Sequence, residues 1–174
     1  MSTSLERITT EYSEIEDRLV IKGSITGGGV CSIFLTQRLM SRLMVHMTKW
    51  LESDSKTANS NPSKETEIKN WIQGSAQEEA VYAAPQHKPV EVPENSESWL
   101  AHEIDVTQEP LGVRLAFKSS SGKLVDLKLD KEKARQWLNI IYKVWQVADW
   151  TLSPWPHWIT GTEKQSSTND LSMH

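Results

Sequence analysis

The sequence predicts an α+β fold: two βββα halves forming antiparallel sheet(s), packed by two long amphipathic helices, with an acidic, helix-bearing insertion between the halves. Three observations predict it. Apolar residues alternate with polar ones before residue 36 and again before residue 130, as on half-buried strands. After each of those stretches they recur every three or four residues, as on one face of a helix. Between the halves, residues 52–98 carry nine acidic and four basic groups and change composition altogether.

The elements follow in order. RITTEY and DRLVIKGSI read as strands, with Leu19, Ile21 and Ile25 on one side and Arg18, Lys22 and Ser24 on the other. Gly27-Gly28-Gly29 turns the chain, and VCSIFLT resumes a strand in which Cys31, Ile33 and Leu35 share a face. Thr36 then caps a helix whose apolar face is Leu39, Met40, Leu43, Met44, Met47, Trp50 and Leu51. Residues 52–62 have no apolar period and are expected to be mobile. Asn61-Pro62 starts a weaker helix with Ile68, Trp71, Ile72, Ser75, Glu79 and Tyr82 along one face. A proline-rich acidic connector leads to WLAHEIDVTQ, GVRLAFKSS and KLVDLKLD, three more strands. Asp130 caps the last long helix.

The predicted organisation is one α+β domain over residues 1–161. Within it, 1–51 is the first half, 52–98 the acidic linker with a helix over about 62–83, 99–152 the second half, and 153–161 a Trp-rich extension. Residues 162–174 are expected to be a disordered tail.

The halves align on each other as an internal repeat. At a shift of 96, Ile8 meets Ile104, Leu19 meets Leu115 and Lys22 meets Lys118; at 94, Cys31 meets Val125, Leu35 meets Leu129 and Thr36 meets Asp130. The two-residue change is expected in the glycine hairpin. Duplication and a coincidence of two similar strand-and-helix units both explain the match, because one period-two pattern aligns with any other. The layout is similar in outline to the two-repeat single-strand binders of the PUR and Whirly type. It is also similar to the sheet-and-helix head domains of eukaryotic end-joining scaffold proteins. No motif carries either likeness, and function does not travel on fold alone.

Composition narrows the function classes. The N-terminus is polar and acidic, and no apolar run approaches a membrane span, so a soluble cytoplasmic protein without membrane contact is expected. A lone cysteine and five scattered histidines predict neither a disulfide nor a metal site. The net charge of −4 argues against a generic nucleic-acid coat.

Candidate chemistry is sparse. No Gly-Lys-Ser/Thr follows the glycine run, and a strand rather than a helix does, so it is a hairpin tip and not a phosphate loop. Cys31 alternates with Ile33 and Leu35 and reads as buried. His102 and His157 are isolated, and Glu16-Asp17 and Glu78-Glu79 occupy solvated positions that leave their acidity ordinary. No catalytic residue, metal or cofactor is therefore expected, and the protein reads as non-enzymatic.

Two binding surfaces stand out. Arg38, Arg42, His46 and Lys49, spaced by four, four and three, form a basic stripe opposite the apolar face of the first helix. Like charges so placed repel by a few tenths of a kcal/mol per pair unless an anion answers them, whether nucleic-acid phosphate, an acidic protein surface or the chain's own acidic insertion. Arg18, Lys22, Arg114 and Lys118 repeat the theme on matched strands. Tryptophan supplies eight of the thirteen aromatic residues, and Trp150, Trp155 and Trp158 follow the last helix, as core or as anchors for a partner. The expected function is a protein-interaction or small scaffolding (adaptor) module with a protein partner or self-association, such as a homodimer. The alternative is a single-stranded nucleic-acid binder using a basic sheet or helix face.

Overall fold

The computed structural model describes residues 3–54 and 61–161. Linker residues 55–60 and the tail 162–174, for which disorder is expected, lie outside the described residues. The general class is α+β, with six strands and four helices among the described residues. The strands are β1 (Thr3–Ser13), β2 (Arg18–Ile25), β3 (Val30–Leu35), β4 (Glu97–Glu109), β5 (Gly112–Ser119) and β6 (Leu124–Leu129). The helices are α1 (Gln37–Glu52), α2 (Pro62–Tyr82), α3 (Lys131–Val147) and the short α4 (His157–Thr160).

The strands do not form antiparallel sheets alone. They close into one barrel in the order β1-β2-β3-β4-β5-β6, and the β3–β4 and β1–β6 seams are parallel. A parallel neighbour needs a long crossover, which the stretch from Thr36 to Ser96 supplies between β3 and β4. The other seam joins the first strand to the last, so the barrel has no free edge. Irregularities between Leu5 and Arg7 in β1 and between Ala101 and Glu103 in β4 break the ladder at matching places. Such bulges sharpen strand bending and help a small barrel close.

The register moves the expected two-residue difference between the halves. Leu19 pairs with Leu35 as Val113 pairs with Leu129, and Gly23 pairs with Cys31 as Phe117 pairs with Val125. The counterpart of Leu19 is thus Val113 rather than Leu115. The difference lies in the β1–β2 turn, four residues long at 14–17, against two residues, Pro110 and Leu111, between β4 and β5. The glycine hairpin has the same length as its counterpart. Gly28 and Gly122 both take positive φ there, where a side chain would be strained.

One core unites the strands with α1 and α3. Leu19, Ile21, Ile33 and Leu35 meet Leu115, Phe117, Val125 and Leu127, with Met40, Met44 and Met47 of α1 and Leu138, Ile141 and Trp145 of α3. Helix α1 lies against β4, and α3 lies against β1 and β6. Each helix therefore packs on the strand that opens the other half. Each such fully buried side chain contributes about 1.5–3 kcal/mol of transfer free energy. Cys31 is buried in this core, and burial pushes its thiol up from the ordinary value.

Helix α2 packs by the opposite chemistry from the one expected. Its buried residues are Gln73, Gln77 and Ala80, whereas Trp71 is 75% and Tyr82 95% exposed. The polar face wins because polar groups wait for it. Gln73 Nε2 donates to the Leu51 carbonyl at 3.1 Å, Gln77 Nε2 to the Arg135 carbonyl at 2.8 Å, and Arg135 Nη2 to Gln73 Oε1 at 2.6 Å. Beyond α2 the connector is pinned to β1, with Arg7 Nη2 donating to the Lys88 carbonyl at 2.7 Å and the Val90 amide to Thr9 Oγ1 at 2.8 Å.

Candidate functional site: the basic face of α1

Thr36 Oγ1 accepts the Leu39 amide at 3.2 Å and starts α1, and the burial of Met40, Leu43, Met44 and Met47 fixes its rotation. That rotation leaves Arg38, Arg42, His46 and Lys49 exposed on the outer face. Helical rise spreads them over about 16 Å. None of the four makes an ion pair or side-chain hydrogen bond with another described residue. The acidic insertion does not answer them within the described residues, because its helix lies on α3 and touches only the end of α1.

The strand cations are different. Arg18 pairs with Glu16 at 3.5 Å, Lys22 with Glu11 at 2.5 Å, and Arg114 with Asp126 at 3.5 Å and Glu109 at 3.7 Å. Lys118 sits between Glu103 at 3.0 Å and Asp105 at 2.5 Å. Hydrogen bonds to those two carboxylates hold the Lys118 ammonium above its usual value, and the bond from Lys118 is the main cause holding Asp105 below its own. Cross-strand neighbours have already neutralised this surface. It also offers no stacking platform, since Phe117 is fully buried and the large exposed aromatics, Trp71 and Tyr82, lie on α2.

Beside the stripe, a cleft of about 450 Å³ is lined by Ser41, Arg42, Val45, Ser153 and Pro154. Val45, in its lining, is partly exposed. Cations and apolar surface thus share one face of α1.

The tryptophans proposed as partner anchors are not on this surface. Trp150, Trp155 and Trp158 are all buried within the chain, Trp158 to 2% exposure. Asp149, at φ 54°, turns the chain after α3, and the extension folds back on the helix. Trp145 then meets Trp150 at 5.0 Å and Trp155 at 5.5 Å, both edge to face, and Trp150 meets Tyr12 at 6.0 Å. Trp158 donates Nε1 to Glu52 Oε1 at 2.9 Å and lies under the Arg135 guanidinium at 5.5 Å. Within the chain, all three are packed intramolecularly.

A second cleft, of about 410 Å³, lies between α2 and α4 and is lined by Trp71, Glu78, His157 and Trp158 among others. The exposed aromatics of α2 beside it were missed in the sequence, because their helical spacing marked them as core. His102 is exposed and hydrogen-bonds through Nδ1 to the Lys118 carbonyl oxygen at 2.9 Å. Among the described residues no group of three His, Cys, Asp or Glu side chains is placed to hold a metal ion. No described helix is long and apolar enough to cross a membrane. No family model, curated protein or solved structure matches this chain, so the α1 face itself carries the functional argument.

Proposed function

We propose that this chain is a non-enzymatic protein-interaction module, a small scaffold or adaptor, that receives an acidic protein segment on α1. The observation that carries the reading is the stripe of Arg38, Arg42, His46 and Lys49, exposed and without a counter-charge among the described residues. An apolar cleft on the same face suits a partner that brings carboxylates and an apolar side chain together, as an acidic amphipathic helix does. Single-stranded nucleic acid is the alternative. The neutralised cations of β2 and β5, with no exposed aromatic beside them among the described residues, weigh against it. The buried free thiol suits a reducing compartment, and we place the protein in the cytoplasm.

The test is a pair of fluorescence titrations at dilute protein, one with a labelled Glu-rich amphipathic helical peptide and one with a labelled single-stranded oligonucleotide. The peptide is expected to bind, more weakly as salt rises, and Arg38→Glu with Arg42→Glu is expected to weaken it about tenfold or more. Oligonucleotide affinity is expected to be weak. Tight oligonucleotide binding that falls by about 0.7 log units per log unit of salt for each phosphate neutralised, and is lost in the same variant, would promote the alternative.

We infer further that the two halves descend from one duplicated βββα unit. Supporting this are the paired bulges, the Thr36 and Asp130 caps, and matching turn bonds. Ile25 donates to Gly29 and Ser119 to Lys123, each at 3.0 Å. Gly28→Ala and Gly122→Ala, which each put a side chain at a positive φ, should therefore cost about the same, roughly 1–2 kcal/mol each. Clearly unequal losses in chemical denaturation would count against equivalence of the halves.

A further inference from the structure

We infer that the segment docking on α1 is the α2 helix of a second copy of this chain, an inference that rests on α1 being a protein-docking face. Helix α2 uses its polar side internally and turns Glu67, Trp71, Ser75, Glu78 and Tyr82 to solvent. Large aromatic side chains as exposed as Trp71 and Tyr82 are typical anchors of interfaces. Neither Glu67 nor Glu78 has an ion-pair partner among the described residues. The chain therefore carries a bare acidic and aromatic helix face as well as a bare basic one.

The two faces match in spacing. Glu67 and Glu78 are eleven residues apart, as are Arg38 and Lys49, which is about 16 Å along either helix. Set antiparallel, Glu78 meets Arg38, Glu67 meets Lys49, and Trp71 arrives at Val45 at the mouth of the cleft formed with Ser153 and Pro154. A parallel setting also pairs the charges but moves Trp71 away from Val45. Within one chain the contact is not made, because α2 is tied to α3 through Gln77 and Arg135 with its acidic face outward.

The experiment is sedimentation velocity on the full chain over micromolar to near-millimolar concentrations at low and moderate salt. Concentration-dependent dimers or larger species that weaken with salt are expected. Two charge-reversal variants supply the specificity: Glu67→Arg with Glu78→Arg, and Arg38→Glu with Lys49→Glu. Each alone is expected to associate about tenfold more weakly than the parent. Mixed in equal amounts they are expected to recover association, because each basic α2 then faces an acidic α1 and each acidic α2 a basic one. That recovery also separates a broken interface from a damaged fold. A parent chain that stays monomeric throughout, or association that neither variant disturbs, overturns the inference. If the parent is monomeric yet the Glu-rich peptide still binds α1, self-docking fails and the interaction-module reading stands; if the peptide also fails, both fall.

Discussion

Trp145→Ala is expected to cost about 3–5 kcal/mol, the usual range for removing a large buried aromatic. Trp145 is fully buried and forms the centre of the aromatic cluster, with Trp150 and Trp155 edge-on to it. Its Nε1 also donates to the Thr151 carbonyl at 2.9 Å, an acceptor in the segment that folds back on α3. Truncation removes the ring, the donor and the anchor of that segment together, so near-ultraviolet circular dichroism should collapse more than helicity does. A small domain commonly has only about 5–15 kcal/mol of stability, so the variant should sit close to unfolding. Chemical denaturation reads the effect. Trp71→Ala, on the exposed face of α2, should change stability by about 0.5 kcal/mol or less, and a loss equal to that of Trp145→Ala would contradict the packing described here.

Gly112→Ala is the second large effect, expected near 2–3 kcal/mol. A Cβ at Gly112 would lie 2.2 Å from the Leu129 carbonyl oxygen and 3.1 Å from the Asp130 Cα. These are backbone atoms at the end of β6 and the cap of α3, so neither yields by a side-chain rotation. Asp130 Oδ1 accepts the Lys133 amide at 2.8 Å, and displacement of this cap should fray the first turn of α3 as well. Gly23→Ala is the contrast. Its added methyl would press first on the Leu5 side chain, at 2.6 Å from Cδ2, the flexible end of a side chain rather than backbone. Urea midpoints should separate the two, with Gly112→Ala clearly the lower. Equal midpoints would mean that β5 and the β6–α3 junction relax apart freely.

The reach of the sequence is set by how local each feature is. Period two around Leu19 and Ile21, and period 3.6 through Met40, Leu43, Met44 and Met47, are local properties, and the α+β class follows from them. The parallel seams are not local: nothing in VCSIFL says that its second neighbour is WLAHEI, so closure into a barrel was invisible. Placement of the two-residue difference between the halves failed for a related reason. A slip of two residues keeps every side chain on its own side of a strand, so Leu115 and Val113 are equally good matches for Leu19 until hydrogen-bond register decides. On α2 the apolar residues pointed to the wrong face, because the amides of Gln73 and Gln77 satisfy backbone carbonyls of α1 and α3 that only the fold brings together. The grouping of the α1 cations needed only helical spacing. The tryptophans after α3 carried no positional information beyond their number, and the left-handed turn at Asp149 sent them inward.

The β1–β6 seam bears on how this chain folds during synthesis. Thr3 pairs with Val125 and Ser4 with Asp126, so the first of the six strands waits for the sixth. Until about residue 129 has left the ribosome, the outer edge of β1 is unpaired, and α3, which packs on β1, does not yet exist. Contacts so distant in sequence slow folding, and an open edge beside uncovered apolar residues invites pairing with a neighbouring nascent chain.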